Sequence, residues 1–296
     1  MSIHKLEIQI LVENTAGSFW GGTLGEYGFS ALSKIQFSDS ELHILFDTGP
    51  SPIAFLNNIK KLEVDLTNID AIVLSHGHLD HIGGLKEAIA LTKKRIPLIC
   101  HPQTVSPKYI TEKGKPYDVG FQKIFKSVEE LKKQVHLITT TTSHEFTKSV
   151  MTTGEVPRKN DYEVLAGKLR DVTTVKNGEI IPDKLLDDLS MVFQLADGSI
   201  VILAGCCHSG IVNTVAKTEE LTDSSNIVGI VGGLHIRDAS QNRLSRTIRE
   251  LEKYPIKNIA PCHCTGFRGK FALATAFGKK FLDVCTSSII KFEVAR

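Results

Sequence analysis

No apolar run in these 296 residues approaches the ~20 needed to cross a bilayer. Nor is there a block of like charge: the formal net charge of +2 comes from interspersed lysines, arginines and carboxylates. The first absence argues against a membrane-spanning protein, and the second leaves no basic footprint for nucleic acid. Six cysteines are present, but not in the spacing of a disulfide scaffold or an iron–sulfur quartet. Repeats of fixed period and low-complexity tracts are missing too. The opening "MSIHKLEIQILVE" lacks the apolar block of a signal peptide and instead alternates Leu6, Ile8, Ile10 and Val12 with polar residues, as a half-buried strand does. A cytoplasmic protein is expected.

What remains is an ordinary globular composition, 42% hydrophobic and 23% charged. A chain of this length buries about three quarters of its unfolded surface, enough for a single large domain over 1–296. Strand patterns occupy 6–12, 31–37 and 42–46, separated by the glycine-rich "TAGSFWGGTLGEYG", and predict a meander at a sheet edge. A helix is expected over 52–61, a buried strand over 71–75, a helix from Gly83 to about Lys93, and a strand in "IPLICHP". Residues 104–188 read as a loop-rich elaboration able to shape a pocket. Strands return at 189–195 and 199–205, joined by the turn residues Asp197 and Gly198. Helices follow over 210–217 and 240–253, with the strands "NIVGIVGG" and "IKNIA" after them. Two similar halves, each passing from strands to alternating strands and helices, imply an α/β fold of packed sheets covered by helices in four layers.

The densest chemistry is "LSHGHLDHIGGL" at 74–85. His76 and His78, two apart, are able to converge on one ion, while Asp80 and His81 address a second; Gly77 and the Gly83–Gly84 pair permit the tight path. Nitrogen and oxygen donors of this kind suit a divalent metal, first of all zinc, with iron, manganese or magnesium as alternatives. Two ions about 3.5–4 Å apart form a common hydrolytic or phosphoryl-handling pair. His208, after "SIVILAGCC", and His263, after "KNIAPC", occupy the same strand-end context, as does His235 in "VGGLHIRD". Cys100, Cys207, Cys262 and Cys264 each adjoin a histidine, with Cys206 one residue further away.

"HGHLDH", preceded by "ILFDTG", resembles the HxHxDH signature of the metallo-β-lactamase superfamily over nearly the whole chain. The resemblance implies an αββα four-layer sandwich with a dinuclear site between the sheets. By position His76 and His78 would bind the first metal, and Asp80, His81 and His263 the second. Two departures stand out. "GCCHSG" occupies the place of the usual glycine–aspartate, with His208 the expected substitute for the bridging aspartate. "MTTGEVPR" stands where a middle histidine would be, with His144 upstream. Together with "GGLHIRD", "PCHCTG" and "EYGFSALSKI", these departures are similar to the branch related to a methanopterin-pathway synthase, which joins a dihydropterin methyl diphosphate to ribofuranosylaminobenzene phosphate and releases diphosphate.

On that resemblance a metal-dependent transferase with a phosphorylated small-molecule substrate is expected. Asp80, His208 and His235 are its candidate catalytic residues. Arg158 and Arg237 are candidate phosphate clamps, and Trp20 and Tyr27 candidate stacking partners for a flat ring. A metal-dependent hydrolase of a phosphoester or lactone, using water whose pKa the metals lower to roughly 7, shares the same ligands. A metal-based redox or sensing module is the third reading, and the cysteines beside His208 and His263 are its support.

Overall fold

The computed structural model describes residues 1–17, 21–112, 115–165, 167–176 and 178–294. In chain order the elements are β1 (Lys5–Val12), β2 (Ser30–Gln36), β3 (Glu41–Phe46), α1 (Pro52–Lys61), β4 (Ala71–Val73), α2 (Leu79–Ile82), α3 (Leu85–Thr92), β5 (Pro97–Cys100), β6 (Lys108–Glu112), β7 (Lys115–Asp118), α4 (Val128–Lys132), β8 (His136–Thr139), β9 (Glu145–Thr147) and β10 (Val150–Thr152). There follow β11 (Val172–Lys176), β12 (Glu179–Pro182), β13 (Ser190–Gln194), β14 (Ile200–Ala204), α5 (Ile211–Thr222), β15 (Ile227–Gly233), α6 (Gln241–Leu251), β16 (Asn258–Cys262), α7 (Gly266–Phe277) and β17 (Ile289–Glu293).

Three separate apolar cores define the layers. Alternate residues of β1 to β4, such as Leu6, Ile8, Ala31, Ile44, Phe46 and Val73, meet Met191, Phe193, Val201, Leu203 and Val231 of the opposite sheet. The other faces of the same strands, through Leu32, Leu45, Ile72 and Leu98, pack on Phe55 and Ile59 of α1 and Leu85 and Ile89 of α3. On the far side Ile200, Ile202, Ile230 and Ile259 meet Ile211 and Val215 of α5, Leu244 and Leu251 of α6, and Leu273 of α7. Period-two alternation in strands that are apolar on both faces thus yields helix, sheet, sheet, helix. This is the four-layer αββα arrangement that the sequence implied.

The first sheet runs β17-β1-β2-β3-β4-β5-β8 and the second β16-β15-β14-β13-β10-β9. Each is antiparallel at one end and parallel at the other: β3, β4, β5 and β8 pair in parallel in the first sheet, β14, β15 and β16 in the second. Only parallel neighbours bring several strand C-termini to one rim, and the site lies there.

Several expectations are corrected. The first meander does not end its sheet, because β17 pairs antiparallel outside β1, from Lys5 opposite Glu293 to Gln9 opposite Ile289. The helix expected from Gly83 begins earlier, at Leu79, and breaks at Gly83–Gly84 before α3. A Cβ at Gly83 would lie 1.9 Å from the Pro50 carbonyl oxygen, so packing, and not propensity, sets the break. Residues 104–188 hold a four-stranded sheet, β12-β11-β6-β7, besides β8 to β10. Its strands are of four or five residues that mix polar and apolar side chains, few of them buried, so no alternation announces them. α7 was not anticipated because Phe267 and Phe271 on it face solvent, 82% and 65% exposed, and blur its apolar stripe.

Leu203, between the two sheets, and Ile180, 68% exposed in the small sheet, mark the extremes of this packing. Leu203→Ala is expected to cost about 2–5 kcal/mol of stability and Ile180→Ala no more than about 0.5 kcal/mol, as read from denaturant unfolding.

Candidate metal centre

Every side chain of the centre follows a strand C-terminus. Asp47 comes after β3, the segment from Ser75 to His81 after β4, Gly205 to His208 after β14, His235 after β15 and His263 after β16. Asp47, Cys207, His235 and His263 all take positive φ, between 45° and 58°. Non-glycine residues seldom adopt this conformation, and here the surrounding contacts hold them in it. The two rims touch at Gly205: a Cβ there would lie 2.2 Å from Ser75 Oγ and 3.0 Å from Asp47 Oδ2. Glycine at this point lets the second sheet approach the first closely enough to share one site.

Asp47 is fully buried. It accepts from Ser75 N at 2.7 Å and Ser75 Oγ at 2.6 Å, and His81 Nδ1 lies 2.6 Å from it. These contacts fix two tautomers. The Ser75 hydroxyl proton is spent on Asp47, so its lone pair accepts from His76 Nδ1 at 2.9 Å, leaving His76 Nε2 bare. His81 Nδ1 donates to Asp47 and leaves His81 Nε2 facing inward. His263 is set in the same way. Asn14 Nδ2 donates to the His263 carbonyl, which turns Asn14 Oδ1 toward Gly28 N and His263 Nδ1, the latter at 3.1 Å.

The inward atoms then form a set that only cations or added protons can satisfy. His81 Nε2 faces His263 Nε2 at 3.2 Å, and Asp80 Oδ2 lies 3.5 Å from His263 Nε2. His76 Nε2 is 3.0 Å from His78 Nδ1, and the His208 ring stands edge-on at 4.6 Å from His76 and 5.1 Å from His78. Two groupings result, His76–His78–His208 and Asp80–His81–His263, each with ligand atoms within 4.8 Å of one another. The donor types and their mutual approach fit divalent ions.

Electrostatics agree with this arrangement. Burial, and then the neighbouring histidines, push His76 and His208 well below the ordinary histidine range, and burial with the Lys108 charge pushes His78 down to about 4, so all three are neutral donors at pH 7. Burial opposes ionisation of Asp80, yet His81 and His263 hold it well below the carboxylate range. His81 is the exception: burial would lower it, but Asp47 and Asp80 raise it to about 9. A proton therefore stands in for a cation until a metal displaces it.

Cys206, directly after Gly205, is the residue that sequence reasoning missed. Its Sγ lies 3.2 Å from His81 Nε2, and it belongs to groupings with His76 and His81, with His208 and His235, and with His263 and Cys264. His208, expected to replace the bridging aspartate, groups with His76 and His78 and also with Cys206 and His235, while the thiol of Cys206 is shared with members of both groupings. The signal was present in "AGC", where cysteine immediately follows the strand-ending glycine. His144 does not approach the centre and packs against Phe146 at 4.9 Å.

A buried ion network braces the histidine loop. Lys108 of β6 reaches Asp183 at 2.7 Å and Asp187 at 3.1 Å, and Asp187 accepts from Gly77 N at 2.8 Å. The small sheet thereby fixes the backbone between His76 and His78. Arg158 holds the loop that carries Asp183 and Asp187, donating to the Lys184 and Leu185 carbonyls at 3.0 and 3.3 Å.

A cavity of about 530 Å³ opens above His208, His235 and Cys264, with Tyr27, Tyr162, Arg237, Ser240 and Arg243 among its walls. The Arg237 guanidinium lies 5.5 Å from the centre of the Tyr27 ring, which in turn stands 4.9 Å from that of His263. Trp20 lies outside the described residues.

Residues 35–263 match the family model described as Metallo-beta-lactamase superfamily. The chain is 28% identical over 294 residues, 98% of both chains, to the 7,8-dihydropterin-6-methyl-4-(beta-D-ribofuranosyl)-aminobenzene-5'-phosphate synthase of Methanocaldococcus jannaschii. It is 33% identical over 261 residues, 88% of this chain and 91% of the other, to an uncharacterized protein of the same organism. Among solved structures, a metal-dependent hydrolase of the beta-lactamase superfamily shares 25% identity at a TM-score of 0.78, covering 98% of this chain and 100% of that one. A diphosphatase of the PhnP family, 12% identical at a TM-score of 0.53, covers 99% and 100% and is alike in fold.

Asp47→Asn, which removes the anionic acceptor from His81, is expected to weaken metal binding about 10–100-fold, read by metal titration against a chromophoric chelator. Metal addition at neutral pH is expected to release protons, from His81 and from the Cys206 thiol, which burial pushes well above the ordinary thiol range, giving an apparent binding enthalpy that varies with the ionisation enthalpy of the buffer; an invariant enthalpy would contradict both protonated states.

Proposed function

The chain belongs to the metallo-β-lactamase superfamily, and from that membership we propose that it is a metal-dependent transferase that condenses a dihydropterin methyl diphosphate with ribofuranosylaminobenzene phosphate and releases diphosphate. The observation that carries this reading is the end-to-end similarity, 98% of both chains, to a protein named for that product. The cavity adds support, since its walls combine aromatic rings with guanidinium groups, as a flat heterocycle bearing phosphates requires.

His76, His78 and His208 would hold one ion, and Asp80, His81 and His263 the other, with Cys206 between them. The nitrogen and sulfur donors favour zinc or iron over magnesium. When bound, such ions supply Lewis acidity that stabilises negative charge on departing diphosphate oxygens. The protein's own contribution is to orient and to exclude water. Tyr27 would stack on the pterin ring, and Arg237 beside it would pair with the diphosphate. In the transfer, the bond from the pterin methylene carbon to diphosphate oxygen breaks with its electron pair leaving on diphosphate. The arylamine nitrogen bonds to that carbon and gives up a proton. His235, whose Nδ1 is buried without a protein partner at the cavity wall, is the proposed acceptor of that proton.

A hydrolase of phosphoesters or lactones is the second reading, favoured by the 0.78 TM-score to a metal-dependent hydrolase. In it Asp80 would orient the attacking water. The redox or sensing reading has the thiols of Cys206 and Cys264 in its favour and nothing else specific.

Metal-loaded protein given both substrates is expected to form a coupled product, by mass spectrometry, that neither substrate forms alone. Hydrolysis of the diphosphate substrate without coupling would put the hydrolase reading first. His76→Ala is expected to lose metal and abolish turnover together; full metal loading with unchanged turnover would remove His76 from the site.

A further inference from the structure

Three cations lie on or beside the first turns of α6, and two of them contact a carboxylate. Arg246 pairs with Asp161 at 2.7 Å and lies over the Tyr162 ring at 4.1 Å. Arg237 contacts Asp238 at 3.4 Å, out at the exposed rim. Arg243 differs. It is only 9% exposed and lines the 530 Å³ cavity. One guanidinium N–H donates to the Val164 carbonyl at 3.2 Å, while Nε is buried without a partner. Among the described residues no carboxylate forms an ion pair with it. Glu163, whose charge it feels, is committed to capping α5, accepting from Val212 N, Asn213 N and Asn160 Nδ2 at 3.0, 2.9 and 2.8 Å. A guanidinium taken out of water without a counter-charge is strongly unfavourable, so a ligand is the natural source of the missing anion.

Two neighbours point the same way. The Tyr162 hydroxyl, on a residue 8% exposed at the cavity wall, also has no partner. Ser240, the N-cap of the 11-residue α6, lines the cavity as well, and its hydroxyl engages only the Arg243 N–H, at 3.2 Å. The remaining first-turn N–H groups of α6 and the positive end of its dipole are thus left for an anion.

We propose that this end of the cavity, built from Ser240, Arg243, Tyr162 and the N-terminus of α6, is a binding site for a phosphate monoester that does not itself react. Its donors, a guanidinium, two hydroxyls and helix N–H groups, line one cavity, and their number suits the three terminal oxygens of a phosphate dianion. The reacting end of the ligand then extends toward His208 and His235, which line the same cavity. The identity of the monoester rests on the transferase reading: it is the 5'-phosphate of the ribofuranosyl acceptor, held away from the diphosphate that departs at the metals. Arg243 and Tyr162 are on this view specificity residues for the acceptor.

The test is calorimetric titration of metal-loaded protein with ribose 5-phosphate, with ribose as the control. Ribose 5-phosphate is expected to bind and ribose not to. Arg243→Met should weaken binding about ten- to hundredfold with metal content unchanged. Tyr162→Phe, which removes only the hydroxyl, should weaken it severalfold, and Arg243→Lys should retain part of it should the methionine variant fail to fold. Equal binding by wild type, Arg243→Met and Tyr162→Phe would overturn the site, since the phosphate would then sit elsewhere, on the metals first of all. Coupling kinetics separate the two ideas. If coupled product forms but the KM for the acceptor is the same in Arg243→Met, the site falls and the transferase stands. If no product forms while ribose 5-phosphate binding depends on Arg243, the transferase falls and the monoester site stands.

Discussion

The Asp47 carboxylate, fully buried where β3 ends, is the group on which the centre depends. Its three contacts, to the Ser75 backbone, the Ser75 hydroxyl and His81 Nδ1, decide which nitrogens of His76 and His81 face inward. Without that constraint each ring could present either nitrogen, and the inward lone pairs would have no reason to converge. Gly205 completes the constraint from the other sheet, because only a residue without a side chain lets the end of β14 rest against Ser75 and Asp47. The tie is therefore both chemical and structural: one carboxylate orients ligands of the first sheet at the point where the second sheet touches it.

Much of this was legible in the chain. The alternation of Leu6, Ile8 and Ile10, and the strand-then-turn signals around "FDTG", "LSHGH" and "PCHCT", announced strands ending in polar loops, and ligands collect at such ends. Local spacing in "HGHLDH" revealed four metal-capable side chains within six residues. Partners that come from afar were harder to read, because nothing local says what they will meet. Cys206 stands 125 residues from His81 in sequence, and the Lys108–Asp187 contact spans 79 residues. An isolated lysine in a polar segment reads as a surface charge until the small sheet buries it. Arg158, read as a phosphate clamp from a motif beside the expected pocket, also has a structural role, since two of its N–H groups hold the backbone of the loop that carries Asp187.

The two ends of the cavity divide the labour. One part of its lining is His208, His235 and Cys264, whose nitrogen and sulfur donors adjoin the metal-capable groupings. Another part is the N-terminus of α6 with the buried Arg243 guanidinium, which presents positive charge to whatever enters. A substrate with a metal-seeking group at one end and a phosphate at the other would match both parts at once. Such a division lets binding energy at a remote phosphate hold the reacting carbon in place, and transfer to a second substrate in preference to water depends on that.

In the proposed dinuclear centre Cys206 would lie between the two ions where a carboxylate is expected, and cobalt substitution tests this most directly. Cobalt-loaded protein should hold about two ions per chain and show thiolate-to-cobalt charge-transfer absorption in the near ultraviolet. Cys206→Ser should lose that band and weaken binding of one ion while Cys264→Ser keeps it. An unchanged band in Cys206→Ser would show that this thiol is not a ligand and would contradict the account.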